Sequence, residues 1–263
     1  MTRTFLITGA SGIAAATARA LPEYTGSDSL QLFLVARHAE HCEEVAESVR
    51  DSYSSVRWVA GDLTNPDFAC GAVSDCIAAF GRIDALYNVA GMSGRRFGDG
   101  PLHECTEDGW IKTLEANLNT QYRMCRETIR LMLAQEPREN GQRGVILNMS
   151  SILGIDPEPN HFDAIAYSTS KGAIIAMTRA MASAYARHNI RVNAIAPGLA
   201  STPMSARAST DAAIVEFVRA KQSLANGMIP VEDIACASAF LLTDSSRSIT
   251  GHVLTVDGGW SLT

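Results

Sequence analysis

Tyr167 and Lys171 are the residues of this sequence whose types and spacing point most directly to chemistry. They lie in a stretch with a helical pattern, where a spacing of four residues places both side chains on one face. An ammonium group beside a phenol favours the phenolate and lowers a phenol pKa that is ordinarily about 10. Lysine is scarce in this chain, since only three of its 22 lysine and arginine residues are lysines. The pair therefore predicts proton transfer by a general acid and base.

Ser150 and Ser151 follow a predicted strand and lie upstream of Tyr167. A serine hydroxyl at that place can hold a substrate oxygen beside the phenol. Paired serines at a strand end more often satisfy a turn, and on the residues alone the turn is the better interpretation.

A glycine-containing turn, Gly9-Ala10-Ser11-Gly12-Ile13, follows the first predicted strand and opens a helix. Such a turn lets the backbone approach a pyrophosphate, whose charge then meets the free N–H groups of the helix start. The alternative is an ordinary connection between a strand and a helix.

The end of the second predicted strand bears on the choice of dinucleotide. In dinucleotide-binding folds this position lies beside the adenosine ribose, where an acid favours a free 2′-hydroxyl and arginine favours a 2′-phosphate. Ala36 supplies no acid and Arg37 supplies a cation. The pattern predicts NADP(H) as the preferred cofactor, with NAD(H) possible. The alternative is an Arg37 that is only solvated at a helix start.

Short β-rich runs alternate along the chain with helical patterns. We predict strands at residues 4–8, 30–35, 56–60, 83–89, 144–149, 191–196 and 253–256, and helices near 12–21, 39–52, 67–80, 106–135, 166–188 and 231–242. This alternation predicts an α/β fold with a doubly wound, seven-stranded parallel sheet in a single domain over residues 1–263. Three irregular segments, 92–105, 152–165 and 198–226, follow strand ends and are predicted to be substrate loops.

The composition narrows the class of partner. The chain has 263 residues, a formal net charge of -6 and no block of lysine or arginine, which argues against nucleic acid or an anionic membrane surface. Its six cysteines show no C-x-x-C pair and no metal-ligand spacing, and no apolar run is long enough to span a membrane. From the first residues of the sequence we expect no signal peptide. We expect a small-molecule substrate, a cytoplasmic location and no bound metal.

Further motifs follow one another in a fixed order. They are Thr8-Gly9 with Gly12, Asp62, Asn88-x-Ala90-Gly91, Asn117-Leu118, Asn148-Met149-Ser150-Ser151, Tyr167-x-x-x-Lys171, Val192-Asn193 leading to Pro197-Gly198 and Thr202, and Val256-Asp257-Gly258-Gly259. The set resembles the short-chain dehydrogenase/reductase family over essentially the whole chain. The resemblance implies the Rossmann fold, a nicotinamide dinucleotide, and interconversion of a ketone or aldehyde with an alcohol by hydride transfer. It also implies a homodimer or homotetramer.

The resemblance further implies roles for individual residues. Asn117, Ser151, Tyr167 and Lys171 correspond to a catalytic tetrad, in which Tyr167 is the general acid or base and Ser151 binds the substrate oxygen. Lys171 would lower the tyrosine pKa and hold the nicotinamide ribose, and Asn117 would anchor a water. Cofactor contacts are expected from Gly9, Ser11, Gly12, Ile13, Arg37, Asp62, Leu63, Asn88, Ala90, Gly91, Tyr167, Lys171, Pro197, Gly198 and Thr202. For Asn88 a purely structural role is an equal alternative.

Two features depart from the family pattern. The glycine loop is one residue shorter than the usual T-G-x-x-x-G-x-G and ends with Ala14, so we expect a locally different pyrophosphate site. Ser151 and Tyr167 are separated by more residues than is usual, so the loop at 152–165 is expected to be enlarged beside the pocket.

Two other functions stay open. A reductase acting on carrier-bound 3-oxoacyl groups would need a basic patch at the pocket mouth, for which Arg95, Arg96 and Arg207 are candidates. A non-catalytic dinucleotide-binding sensor or scaffold would not need the complete tetrad, which favours the enzyme. Apolar residues within 199–227 favour a substrate with an apolar body.

Overall fold

Seven parallel strands form the sheet of this protein, which a computed structural model describes over residues 2–263. The strands are β1 (Thr2–Thr8), β2 (Ser29–Ala36), β3 (Ser55–Ala60), β4 (Ala85–Asn88), β5 (Gly144–Met149), β6 (Ile190–Pro197) and β7 (Val253–Val256). Their spatial order is β3-β2-β1-β4-β5-β6-β7, and every neighbouring pair is parallel. The predicted α/β class and the doubly wound seven-stranded sheet are confirmed.

Helices cover both faces of this sheet. They are α1 (Gly12–Tyr24), α2 (Ala39–Ser48), α3 (Pro66–Phe80), α4 (Glu107–Leu114), α5 (Thr120–Ala134), α6 (Ile165–Tyr185), α7 (Ala206–Thr210), α8 (Ala212–Lys221) and α9 (Val231–Leu242). One core lies between the sheet and α1 with α9, and a second lies between the sheet and α3 with α5. Successive side chains of β1 alternate between them, since Phe5 and Ile7 enter the first core and Leu6 enters the second.

The strand order reverses between β1 and β4. The chain builds β2 and β3 on one side of β1 and then returns to build β4 to β7 on the other side. At such a point the connections after the two central strands pass to opposite faces and leave a crevice beyond the carboxyl ends. The site described below lies in that crevice.

The helical elements differ from the sequence prediction in two places. The helix predicted near 106–135 is divided into α4 and α5 by a π-helical turn, Glu115–Asn119. The segment 198–226, predicted to be irregular, contains α7 and α8, because the side chain of Asp211 caps α8 and because Ile214 and Val218 are buried. Within residues 2–263, no helix is both long enough and apolar enough to cross a membrane.

Candidate active site

A cavity of about 510 Å³ lies at the carboxyl ends of the central strands. Its wall holds the following residues that the sequence singled out: Gly9, Ser11, Gly12, Ile13, Arg37, Asp62, Leu63, Ala90, Gly91, Asn117, Ser151, Tyr167, Lys171, Pro197, Gly198 and Thr202. These residues come from the ends of six different strands or from the segments that follow them. The fold therefore brings distant segments of the chain to one crevice, whose volume suits a small-molecule ligand.

Asn88 is the exception among the predicted site residues. It ends β4 with its side chain buried, and it does not line the cavity. Its amide nitrogen donates a hydrogen bond to Asn148 Oδ1 at 3.0 Å and contacts Cys125 Sγ at 3.2 Å. These contacts join β4 to β5 and α5, so the geometry corrects the expected cofactor contact to a structural role.

The glycine turn after β1 has the form that a pyrophosphate requires. Gly9 and Gly12 adopt positive φ angles of 97° and 51°, which favour glycine. Ser11 precedes α1, and its side chain caps none of the first backbone N–H groups. The Ala14 N–H bonds the Ser11 carbonyl oxygen at 3.2 Å, and the N–H groups before it would be the ones to meet an anion. Ala14, which departs from the family pattern, is buried against Gly9 and does not line the cavity. Its methyl group therefore takes up core space and leaves the cavity open.

The hydroxyl of Thr8 holds two strand ends together beside this turn. It accepts hydrogen bonds from the backbone N–H groups of Val89 at 3.0 Å and Ala90 at 3.1 Å. The segment after β4 is thereby fixed next to the segment after β1.

Charged and aromatic groups gather where β2 and β3 end. Arg37, His38, His41 and Asp62 all line this part of the cavity. A hydrogen bond from the backbone of Thr64 holds the pKa of Asp62 below its usual range, and the nearby positive charge of Arg37 adds to that effect. The two histidines were not considered from the sequence, although their spacing of three residues at a helix start was visible there.

Tyr167 and Lys171 lie in the first two turns of α6 and both line the cavity. Lys171 Nζ lies 5.5 Å from the centroid of the Tyr167 ring and donates a hydrogen bond to the carbonyl oxygen of Met149 at 2.9 Å. Ser151, which follows β5, has its hydroxyl close enough to the Tyr167 phenol to lower the phenol pKa. The neighbouring Ser150 also lines the cavity, but its hydroxyl is engaged, because it donates to the Lys171 carbonyl oxygen at 2.9 Å. Ser151 is therefore the serine that can act with the phenol.

Burial governs the ionisation of both residues. Desolvation raises the pKa of Tyr167, and the hydrogen bond with Ser151 opposes part of this rise. Desolvation lowers the pKa of Lys171 to about 7. In the ligand-free chain the phenol is thus protonated at neutral pH, and the amine is close to its midpoint of titration.

Asn117 lies in the π-helical turn and is completely buried. Its Oδ1 accepts a hydrogen bond from the Met92 backbone nitrogen at 2.8 Å, and its Nδ2 donates to the Met92 carbonyl oxygen at 3.0 Å. The side chain thereby fixes the loop that follows β4. A Cβ atom on Gly91 would lie 2.6 Å from Asn117 Oδ1, so this close approach requires glycine.

Asp99 is a residue that the sequence analysis missed. Its buried carboxylate accepts hydrogen bonds from the backbone N–H groups of Ala166 at 2.9 Å and Tyr167 at 3.0 Å. These groups belong to the first turn of α6 and have no partner within the helix. The residue at the N-cap position is Ala164, which has no side-chain acceptor. The sequence shows that Ala164 cannot cap the helix, but it does not show that Asp99 supplies the missing acceptor.

Aromatic side chains form the wall beside the enlarged loop. The rings of Phe162 and Trp260 have centroids 5.6 Å apart, and Phe217 lies at the same distance from Trp260. Phe162 and Trp260 line the cavity together with Leu153 and Met204. This part of the cavity is suited to an apolar group.

A family model and proteins of known name match nearly the whole chain. A family model described as enoyl-(acyl carrier protein) reductase matches residues 7–261. A cis-4-hydroxycyclohexanecarboxylate dehydrogenase from Sinomonas cyclohexanicum is 34% identical over 261 residues, which cover 98% of this chain and 96% of that protein. An acetoacetyl-CoA reductase from an Acinetobacter species is 32% identical over 255 residues, which cover 97% and 96% of the two chains.

Solved structures are similar over the whole chain. A short-chain type dehydrogenase/reductase from Mycobacterium ulcerans superposes with a TM-score of 0.85 at 26% identity, covering 99% of this chain and 90% of the other. An actinorhodin polyketide ketoreductase determined with NADPH gives a TM-score of 0.84 at 25% identity, covering 100% and 98%. With the fold, the glycine turn and the relatives in agreement, this chain belongs to the short-chain dehydrogenase/reductase family of oxidoreductases, which bind NAD(P) nucleotides.

Proposed function

We propose that this protein is an NADP(H)-dependent oxidoreductase that interconverts a ketone or aldehyde and the corresponding alcohol. One observation carries the proposal. Ser151, Tyr167 and Lys171 line the same cavity, with the Ser151 hydroxyl close enough to the phenol to lower its pKa and Lys171 Nζ 5.5 Å from the tyrosine ring. Reduction of a carbonyl or oxidation of an alcohol requires one group that binds the substrate oxygen and one that exchanges a proton with it, and two neighbouring hydroxyls can supply both.

The proton moves through Tyr167. In reduction its phenol donates a proton to the substrate oxygen while the Ser151 hydroxyl donates a hydrogen bond to the same atom. In oxidation the phenolate accepts the proton of the alcohol. Because burial raises the pKa of Tyr167, the proton-donating form prevails at neutral pH, and the oxidation rate should rise as the pH increases.

Lys171 and Asn117 support this transfer in different ways. Lys171 Nζ uses one N–H on the Met149 carbonyl, which leaves two donors for the hydroxyls of a ribose. The carboxamide of Asn117 holds the Met92 backbone through Oδ1 and one N–H of Nδ2, which leaves its second N–H and its backbone carbonyl as groups that would meet a relay water.

The residues of the cavity fit a bound dinucleotide. The turn from Gly9 to Ile13 would hold the pyrophosphate, Arg37 the 2′-phosphate and Asp62 with Leu63 the adenine. The nicotinamide half would lie among Ala90, Gly91, Tyr167, Lys171, Pro197, Gly198 and Thr202. The cofactor supplies or accepts the hydride, and the chain contributes binding, orientation and proton transfer.

The loops 92–105, 152–165 and 198–226 supply residues to the other half of the cavity, and we propose that they bind a small-molecule substrate. Two similar proteins are named for a hydroxycyclohexanecarboxylate and for acetoacetyl-CoA, which supports a hydroxy or oxo compound as substrate. A carrier-bound 3-oxoacyl group is the second candidate, because another relative is named 3-oxoacyl-[acyl-carrier-protein] reductase. We further propose that the protein acts in the cytoplasm as a single-domain subunit of a homodimer or homotetramer.

Steady-state oxidation of NADPH with a panel of carbonyl compounds tests this function. The panel contains 4-oxocyclohexanecarboxylate, acetoacetyl-CoA and neutral cyclic ketones. Turnover should fall by about 10²-fold or more in Tyr167→Phe, while the affinity for NADPH stays within a few-fold, because only the proton donor is lost. Tyr185→Phe removes a hydroxyl from the last turn of the same helix and should leave turnover unchanged. Intact NADPH binding with no turnover of any compound would favour a dinucleotide-binding sensor or scaffold.

A further inference from the structure

The cavity is basic although the chain as a whole is acidic. The formal net charge is -6, yet the described residues that line the cavity include Arg37, Arg95, Lys171 and Arg207 against one acid, Asp62. Arg37 and Asp62 lie at the adenosine end, and Lys171 lies beside the catalytic phenol. Two arginines, Arg95 and Arg207, remain at the substrate end without a carboxylate in the wall beside them.

These two arginines reach the cavity from different elements. Arg95 lies in the loop after β4, and its Nη2 donates a hydrogen bond to the carbonyl oxygen of His161 at 3.2 Å. Arg207 lies in α7, next to Ala208, which packs in the same apolar cluster as Phe162. All three substrate loops thus meet around the pair. Both arginines are exposed as well as lining the cavity, so they lie where it opens to solvent.

The positive charges of Arg95 and Arg207 act on each other. Desolvation, and after it repulsion by Arg207, hold the pKa of Arg95 below its usual range. Asp99 and Asp163 act on Arg95 in the opposite direction and to a smaller extent. The Asp99 carboxylate is already engaged by two backbone N–H groups of α6. Two like charges held near one another in a cavity wall are stabilised when an anion binds between them.

We propose that the substrate carries an anionic group, a carboxylate or a phosphate, which Arg95 and Arg207 bind at the mouth of the cavity. This inference rests on the proposed function, because it takes the same cavity as the substrate site. Phe162 and Trp260 line the wall and contact the apolar body of the substrate. The substrate class is therefore an oxo or hydroxy compound with an apolar body and an acidic end. Guanidinium groups suit both carboxylate and phosphate, since their planar N–H pairs match two oxygens at once.

Binding of unreactive ligands tests the anion site without any turnover. The dissociation constants of cyclohexanecarboxylate and cyclohexanecarboxamide are measured by calorimetry on the full chain saturated with NADP+. The two ligands have similar shapes and differ in charge. We expect the carboxylate to bind at least about tenfold more tightly, and this preference to shrink as salt concentration rises.

Two variants assign that preference to the arginines. Arg95→Gln and Arg207→Gln should each weaken carboxylate binding by about tenfold and leave carboxamide binding unchanged. Arg207→Gln is the more direct of the two, because Arg95 also holds the His161 carbonyl. Arg19→Gln is the matched control, since it removes the same charge from an exposed position of α1 outside the cavity. Its two dissociation constants should equal those of the wild type.

A second anionic probe identifies the source of the charge. Coenzyme A carries phosphates, so a loss of its binding in Arg207→Gln with unchanged carboxylate binding would assign the site to a phosphate. A loss of cyclohexanecarboxylate binding in Arg207→Gln with unchanged coenzyme A binding would assign the site to a carboxylate. Equal affinities for cyclohexanecarboxylate and its amide, together with coenzyme A binding that does not depend on Arg207, would overturn the proposal.

The outcome for the anion site is separable from the outcome for the proposed function. Tyr167→Phe should bind cyclohexanecarboxylate as the wild type does while losing turnover. Arginine-dependent binding of the carboxylate without turnover of any oxo compound would count against the oxidoreductase and leave the anion site standing. Turnover of 4-oxocyclohexanecarboxylate and its methyl ester with equal kcat/KM would count against the anion site and leave the oxidoreductase standing.

Discussion

Lys171 is the residue whose charge depends most on its surroundings. Its side chain is 3% exposed, and its one fixed acceptor is the carbonyl oxygen of Met149. Desolvation therefore lowers its pKa to about 7, because a carbonyl dipole replaces only part of the lost hydration. The ammonium form of Lys171, which we propose assists Tyr167, is then favoured by any group in the cavity that accepts its remaining hydrogen bonds.

The depressed pKa of Lys171 predicts how the stability of the cofactor-free protein depends on pH. An unfolded lysine titrates near pH ~10.4 and the folded one near 7, so between these values the unfolded chain binds one more proton. The free energy of unfolding should then rise with pH by up to about 1.4 kcal/mol per pH unit from this group. Denaturant titrations of the wild type and Lys171→Met at several pH values measure it. The free energy of unfolding of the wild type should increase relative to that of Lys171→Met from about pH 7 towards pH 10. If the two free energies change with pH in parallel, Lys171 is not desolvated.

Arg37 is the residue on which we expect the cofactor preference to depend. Its always-charged guanidinium suits a 2′-phosphate, and Ala36 brings no acid to repel one. The wild type should prefer NADPH over NADH by about ten- to a hundredfold in kcat/KM, or roughly 1.4 to 2.8 kcal/mol. Ala36→Asp combined with Arg37→Ala should reverse this preference by adding repulsion and removing attraction.

The control for that variant is Arg57→Ala, which removes an exposed arginine from β3 outside the cavity. Its NADPH to NADH ratio should match the wild type. The double variant keeps His38 and His41, which also line the cavity, so a changed ratio would be due to positions 36 and 37. If the double variant leaves the ratio untouched, Arg37 is only a solvated residue at the start of α2.

At the scale of elements, α6 depends on a cap from another part of the chain. Its first turn carries Tyr167, and the carboxylate that accepts the first-turn N–H groups belongs to Asp99, 67 residues before Ala166. A negative charge at a helix start is favourable, and the two hydrogen bonds fix the backbone from which the phenol projects. Asp99 thus acts as a positioning residue for Tyr167.

Asp99→Ala should lower kcat by about tenfold or more, because a small displacement of the phenol disturbs proton transfer. The dissociation constant of NADPH should stay within a few-fold, and the free energy of unfolding should fall by about 1 to 2 kcal/mol. Asn65→Ala is the matched control, since Asn65 caps α3 through two backbone N–H groups and does not line the cavity. It should lose similar stability and keep kcat. If Asp99→Ala and Asn65→Ala had equal kcat values, Asp99 would be a helix cap without a positioning role for Tyr167.

The sequence predicted those elements whose pattern is local. Short β-rich runs that alternate with helical patterns predicted the parallel sheet. The helical pattern near 166–188 predicted the helix that carries Tyr167 and Lys171. The π-helical turn at Asn117 was not predicted, because one additional residue hardly alters a helical pattern of apolar side chains. Asp99 was missed for a different reason, since its role depends on a contact across the fold. The side-chain signal for α8, Asp211 before Ile214, was present and was overlooked.

At the scale of the whole molecule, α6 shows two faces. Ile174 and Thr178 are buried against the rest of the chain. Ala176, Ala180 and Ser183 are exposed, and their spacing of four and three residues places them on one stripe. Small residues let two helices approach closely, and a two-fold axis would bring the same stripe from a second subunit. We therefore propose this stripe as the surface of the predicted self-association.

Sedimentation velocity at micromolar concentration should give a mass of two or four times 28.1 kDa for the wild type. Ala176→Glu with Ala180→Glu should shift the protein towards the monomer, because like charges would face each other without hydration across the two-fold axis. Ala220→Glu places the same charge on an exposed position of α8 and should leave the mass unchanged. Circular dichroism should show that all three proteins stay folded, since the substituted positions are exposed. A wild type that sediments only at 28.1 kDa would contradict the predicted homo-oligomer, and a double variant with unchanged mass would place its interface on another face.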